Sequence, residues 1–182
     1  MELLYSQTIR TPLGNMIAAA NDKGICLFDF PYRKRIAQIT ARVTQNGDVP
    51  LVPGDHPYNL LLQAQIDEYF TGVRKVFDLP LRLVGTPFQQ KVWEALLTIP
   101  YGTTRSYKAQ SVYLNDEKAI RAVARANGEN GLAILVPCHR VLGTNGSLTG
   151  YAGGLRNKEW LLEHERKHSG KTLQQSLFMS QL

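Results

Sequence analysis

Thr86-Pro87-Phe88-Gln89 fixes the start of a helix and so divides the chain in two. A threonine hydroxyl can accept an amide of the first turn, and proline at the first helical position gives up no needed hydrogen bond. A glutamine three residues after the threonine can close the capping box. What precedes belongs to another element, and the chain passes between two regions from Leu81 to Gly85. Behind the box, Phe88, Val92, Ala95 and Leu96 share one helical face, which together with Trp93 assigns this helix to the core.

The first region reads differently. Residues 3 to 30 alternate apolar runs, Ile17-Ala18-Ala19-Ala20 and Ile25-Cys26-Leu27-Phe28, with the turn signals Pro12-Leu13-Gly14-Asn15 and Asn21-Asp22-Lys23-Gly24. This predicts a β-meander or hairpin. Leu60 to Phe70 has helical spacing and closes at Thr71-Gly72, with a short strand expected around Val76-Phe77-Asp78-Leu79. With 182 residues there is room for two small domains: an N-terminal α/β domain over 1–84 and a second domain over 85–168. A polar tail follows over 169–182 and is expected to be partly disordered.

Composition narrows the function classes. Hydrophobic residues make up 43% and charged residues 20%, as in soluble globular chains, and no apolar run is long enough to cross a bilayer. No basic start with an apolar secretory segment is seen, so no membrane partner is expected. Cys26 and Cys138 cannot form a framework of disulfides, which points to a reducing compartment: cytoplasmic, or nuclear in a eukaryotic source. No Cys/His cluster has zinc-site spacing, so neither metal nor cofactor is expected.

Charge is lopsided. Residues 85–182 carry twelve Lys or Arg against seven Asp or Glu, while residues 1–84 carry nine against eight. A basic surface favours a polyanion through counterion release, although positive balance alone is more often just a soluble surface. Ser106 to Val112 reads as a short helix, Leu114-Asn115 as a turn with Asn115 or Asp116 as cap, and Glu117 to Asn127 as a second helix ending at Gly128. Two short helices around a tight turn suggest a helix-turn-helix. Ala119, Ala122, Ala124 and Ala126 leave the second helix thin, and only Arg121 and Arg125 reach far. Such a helix suits close approach in a minor groove better than base reading in the major groove. Tight packing in a core is an equally good reading of the alanines taken alone.

Pro137-Cys138-His139-Arg140-Val141 follows the apolar run Leu132-Ala133-Ile134-Leu135-Val136 and sets a thiol beside an imidazole. In isolation such a pair is more often a buried cysteine ending a strand, followed by an unrelated histidine. Its surroundings change that reading. Tyr101-Gly102-Thr103-Thr104 with Ser106-Tyr107, Ala119 to Asn127 with Asn130, Gly150-Tyr151-Ala152-Gly153-Gly154 and Lys158 to Glu165 stand in the order and spacing of the O6-alkylguanine-DNA alkyltransferases. From Thr86 to Glu165 the chain resembles that family, and before Gly85 the match is weak.

The resemblance implies an α+β fold: a small N-terminal β-sheet with a helix, ribonuclease H-like, then a helical winged helix-turn-helix-type domain carrying the active-site cysteine. It implies a stoichiometric, irreversible transfer of an alkyl group from O6-alkylguanine, with O4-alkylthymine as a lesser substrate, to Cys138. The partner is double-stranded DNA containing the lesion, bound by a monomer without an obligate protein partner. Base flipping is required, since O6 lies at a paired edge inside the stack. By resemblance, Arg121 takes the place of the flipped nucleotide on a helix that includes Ala122 and Arg125. A relay runs from Cys138 through water to His139 and on to Glu165. Neighbours on a regular strand face opposite ways, so the pair cooperates only if the backbone turns at Cys138 or a water bridges them. Tyr107 gives a proton or hydrogen bond to the leaving guanine, and Asn130 ties the DNA-binding helices to the active-site turn. Val141, Tyr151, Ala152 and Gly153 wall the pocket, while Lys158, Lys108 and Thr144 are weaker candidates for pocket closure or phosphate contact.

Residue by residue, several of these have plainer readings: Glu165 as a solvated helix charge, Tyr107 as a half-buried helix tyrosine, and the glycines as simple turns. Two positions depart from the family. Gly131 follows Asn130 where proline is usual, and Ala152 stands where some members have serine. A non-catalytic lesion-binding protein of the same fold is the main alternative, and Cys138 argues against it. A cysteine hydrolase lacks any marked substrate pocket, and a transcription regulator calls for a recognition helix richer in base-reading side chains.

Overall fold

The computed structural model describes residues 2–170, so most of the tail expected over 169–182 lies outside the described residues. β1 (Leu4–Ile9), β2 (Met16–Asn21) and β3 (Gly24–Asp29) form the expected antiparallel meander. Gly24, at φ 127°, leaves the Pro80 carbonyl oxygen only 2.5 Å from where a Cβ would stand, so a side chain would collide there. Next come α1 (Ile36–Val43) and β4 (Leu51–Pro53), which pairs in parallel with β1 and gives the strand order β3-β2-β1-β4. Neither leaves a clear sequence signal. α1 has no side-chain N-cap, and three residues of β4 are too few to show alternation.

α2 (Pro57–Phe70) packs on this sheet and begins three residues before the predicted helix, because a histidine caps it: His56 Nδ1 accepts the Tyr58 amide at 3.3 Å. The strand expected at Val76–Leu79 does not form. The Gln65 side chain satisfies that backbone instead, donating to the Asp78 carbonyl and accepting the Asp78 amide, both at 2.9 Å. The chain rejoins the sheet only at Leu81, bridged to Ile25.

The capping box opens α3 (Pro87–Leu97) as predicted, with both hydrogen bonds between Thr86 and Gln89 made. Val92, Trp93, Ala95 and Leu96 are buried, but Phe88 is 41% exposed. It sits in the first turn, outside the covered stretch, so its assignment to the core face is corrected. β5 (Arg105–Ser106) leads into α4 (Tyr107–Tyr113), capped by Ser106. Asp116 caps a single 3-10 turn before α5 (Ile120–Asn127), which ends at Gly128. Gln110 and Asn127 exchange amide hydrogen bonds of 2.8 and 3.3 Å and lock α4 to α5.

Leu132–Val136 is not a strand. Ile134 has φ 70° and turns the chain, while Phe28 N–H donates to the Gly131 carbonyl (2.8 Å) and Ala133 N–H to the Phe28 carbonyl (2.7 Å). These bonds pin the segment in which Gly131 departs from the family, and a Cβ on Gly131 would meet Ile39 of α1 at 2.7 Å. A 3-10 turn over Cys138–Arg140 follows, then β6 (Val141–Leu142), parallel to β5, and α6 (Leu155–His168). The molecule is thus an α+β protein, a small N-terminal sheet joined to a helical C-terminal part. One core takes Phe28, Ile66 and Tyr69 from the first half and Val92, Trp93, Val136 and Leu161 from the second.

Phe28 is fully buried where the halves meet, so Phe28→Ala is expected to cost about 3–5 kcal/mol in urea denaturation. Indole fluorescence and far-UV circular dichroism should report one coincident transition, because the core is shared. Two separated transitions would mean that the halves unfold independently.

Candidate active site

Cys138 begins its 3-10 turn immediately after Pro137, so the backbone does turn at the cysteine and His139 does not occupy the far face of a ladder. Asn130 organises this turn. Its Nδ2 donates to the Val136 carbonyl (2.9 Å) and to Cys138 Sγ (3.4 Å), while its Oδ1 accepts the Leu132 amide (2.9 Å). Burial pushes the thiol above its ordinary pKa, with Asn130 and the Arg33 charge pulling the other way. At neutral pH Cys138 is therefore a protonated thiol that needs a base.

An imidazole stands in the same turn. His139 Nε2 lies 2.8 Å from Glu165 Oε1. Glu165, fully buried on α6, also accepts Arg140 Nε (Oε2) and Nη2 (Oε1) at 2.9 Å, the Tyr69 hydroxyl at 2.8 Å and the Gly102 amide at 3.1 Å. Burial alone would raise its pKa, but His139 and Arg140 outweigh burial and hold it well below the usual carboxylate range. An ionised carboxylate only accepts hydrogen bonds, so the imidazole hydrogen sits on Nε2 and the lone pair on Nδ1. Burial lowers the His139 pKa against the opposing pull of Glu165, which keeps the ring neutral. Nδ1 is buried with no partner among the described residues.

A cleft of about 460 Å³ opens over the thiol, lined by Cys138, Gly150, Tyr151 and Ala152 together with Ala124 and Arg125 of α5. Tyr151 meets the rings of Phe30 and His139 edge-on, at 6.3 and 6.4 Å, and its buried hydroxyl has no partner among the described residues. The Tyr107 hydroxyl donates to the Gly150 carbonyl at 3.3 Å, and burial pushes its pKa up to about 12, so it remains a proton donor. Gly153 must be glycine here, since a Cβ would stand 2.3 Å from the Phe30 ring. Val141 is buried at the start of β6.

Lys158 corrects one expectation. It is fully buried, and its ammonium donates to the Val141 and Thr149 carbonyls at 2.5 and 2.6 Å, so it cannot reach a phosphate. It ties down the loop between β6 and α6, and burial lowers its pKa to about 8. Arg121 and Ala122 are exposed on α5, Lys108 on α4 and Thr144 in the loop after β6. Arg125 is exposed too, but its Nε lies 3.3 Å from Glu129 Oε1.

Sequence reasoning missed three contributors. Arg33 is buried, pairs with Asp29 and donates to the carbonyls of Gly128 and Asn130, so the first half holds the loop that carries Asn130. Within the run Arg33-Lys34-Arg35 nothing sets it apart from a solvated cation. Arg140 belongs to the quoted motif, yet only its two bonds to Glu165 assign it a task. Tyr69 lies on α2, in the region where the family resemblance is weak, and reads simply as a core aromatic.

Residues 87–167 match the family model for the DNA binding domain of 6-O-methylguanine DNA methyltransferase, and residues 4–83 that for its ribonuclease-like domain. The chain is similar to the methylated-DNA–protein-cysteine methyltransferase of Methanosarcina barkeri, 41% identical over 165 residues that cover 91% of this chain and 99% of the relative. It is 44% identical to the constitutive methylated-DNA–protein-cysteine methyltransferase of Bacillus subtilis, over 89% of this chain and 95% of that one. Among solved structures it is similar to Mycobacterium tuberculosis OGT in complex with DNA, with a TM-score of 0.79 and 39% identity over 90% of this chain and 94% of that one.

Glu165→Gln keeps the shape but leaves Arg140 without its counter-charge, and should cost about 3 kcal/mol at neutral pH. The folded pKa of Glu165 lies below its unfolded value, so its contribution is complete above about pH 5 and is lost as pH falls through the folded value. The gap in urea stability between wild type and variant should therefore be flat above that pH and narrow below it.

Proposed function

The chain belongs to the 6-O-methylguanine DNA methyltransferase family, and we propose that it repairs DNA by transferring an alkyl group from guanine O6 to the sulfur of Cys138. It is a DNA-repair methyltransferase of the methylated-DNA–protein-cysteine class. The observation that carries the assignment to Cys138 is the neutral His139 in the same 3-10 turn, its proton fixed on Nε2 by ionised Glu165 and its Nδ1 lone pair buried without a partner among the described residues.

The thiol proton passes through a bridging water to Nδ1, and the thiolate attacks the alkyl carbon in line with the C–O6 bond. A sulfur–carbon bond forms, the bonding pair leaves on guanine O6, and the charge spreads into the purine. The Tyr107 hydroxyl stabilises that charge by donating a hydrogen bond to a ring nitrogen, and the anion is then protonated from water. Tyr151 supplies a face for the base, while the Cys138 and Val141 carbonyls accept from its exocyclic amine. The product thioether does not hydrolyse, so each molecule acts once and needs no cofactor. α5 enters the minor groove with Ala122 against the backbone, and Arg121 fills the gap left by the extruded nucleotide. Lys108, Thr144 and Arg125 contact phosphates, Arg125 after giving up Glu129. O4-alkylthymine is the lesser substrate. The protein works as a monomer in a reducing, cytoplasmic setting, where the thiol is kept available.

The test is intact-mass spectrometry with excess duplex carrying one O6-methylguanine, followed by peptide mapping. One methyl on the Cys138 peptide, stopping at one equivalent, is the expected result. Lesion binding without modification would make the chain a non-catalytic binder instead. Cys138→Ala should abolish transfer and keep lesion binding. Arg121→Ala should slow reaction with duplex by on the order of tenfold, matching the loss of part of a flipping cost of a few kcal/mol, while a free-base substrate reacts at the wild-type rate.

A further inference from the structure

Among the described residues, Tyr69 is the one group from the first half that reaches the carboxylate behind the base. Its hydroxyl donates to Glu165 Oε1 at 2.8 Å, the same oxygen that receives His139 Nε2. Its own carbonyl accepts His164 Nε2 at 2.8 Å, so consecutive residues of α6 are gripped by one residue of α2. The ring is fully buried and packed edge-on or tilted against Phe70, Phe77, Tyr101 and His164, which leaves the hydroxyl no alternative direction. Burial and Glu165 raise its pKa well above the ordinary phenol value, so it stays a donor at every working pH.

We propose that Tyr69 is a positioning residue for alkyl transfer, setting the basicity of His139 through the hydrogen bond it shares on Glu165 Oε1. Arg140 Nη2 also donates to this oxygen at 2.9 Å, so Oε1 serves three donors, and a carboxylate oxygen has less negative charge to offer each donor as their number rises. With the phenol in place, Glu165 orients His139 without drawing the ring into the imidazolium form, which would be useless as a base. Without it, Oε1 divides its charge between Arg140 and Nε2–H alone and the imidazolium becomes easier to form. The other groups facing this pair are Arg140 in the turn, Lys158 and His164 on α6, Tyr101 before β5 and Tyr151 over the cleft, and none of them is altered chemically when only the Tyr69 hydroxyl is removed. The inference rests on the proposed role of His139 as the base.

The experiment follows the His139 imidazole by NMR titration and, separately, the pH dependence of the single-turnover transfer rate. In Tyr69→Phe the His139 titration and the acid limb of the rate should both move to higher pH, by on the order of half a unit for partial transmission of a charged hydrogen bond. Replacement of Tyr69 by a ring-fluorinated tyrosine, a stronger donor of nearly the same shape, should move both to lower pH, and this keeps the test available if the phenylalanine variant folds poorly. An unmoved titration in the fluorinated protein, or shifts of the same sign in both, would overturn the inference, since a merely structural tyrosine alters stability and plateau rate without moving the limb. Failure of wild type to transfer would strike the proposed function alone, because the titration reads His139 without needing activity.

Discussion

A single ionised carboxylate, sealed from water among five hydrogen-bond donors, holds the two halves of this protein to their common task. Taking such a charge out of water costs several kcal/mol, and attraction recovers that only when every lone pair is used in good geometry. Glu165 meets the condition because four separate pieces of chain converge on it: α2 through Tyr69, the loop before β5 through Gly102, the turn of Cys138 through His139 and Arg140, and α6 itself. Fold and site are thus one arrangement. The packing that brings α2 against α6 is also what fixes the tautomer of the imidazole.

Charges around the thiol are arranged to leave it neutral at rest. Arg33 is matched by Asp29 and Arg140 by Glu165, while Lys158, whose charge also favours the thiolate, is held on two backbone carbonyls. Burial then dominates, and the thiol stays protonated until a base takes its proton. For an acceptor that can be used only once this has a direct consequence. Reaction with stray oxidants or electrophiles follows the thiolate fraction, so a buried and protonated thiol is spared them.

What the sequence made legible was local. The capping box at Thr86, the Asp116 cap and the stop at Gly128 all act within a few residues, and each appears where the residues predict it. What it hid depends on distant partners. An apolar run reads as a strand, but Leu132–Val136 is bent by Ile134 at positive φ and held by two backbone bonds to Phe28. Lysine reads as surface, yet Lys158 is buried on two carbonyls. Within the site, Glu165 was reached only by resemblance to a family, because nothing in its own spacing separates it from a solvated helix charge. Arg33 and Tyr69 lie outside the resembling segment and could be found only once the chain was folded.

The same convergence governs how α5 relates to the thiol. Two residues separate the end of α5 at Asn127 from Asn130, whose amide bonds Cys138 Sγ, and Arg33 grips the carbonyls of Gly128 and Asn130. Glu129, in the same short loop, takes hydrogen bonds or ion pairs from Arg35, Arg125 and Gln89. The loop is thereby fastened both to the first half and to the sulfur. α5 cannot shift along its axis without straining these bonds, so the helix stands in fixed register with the cleft over Cys138.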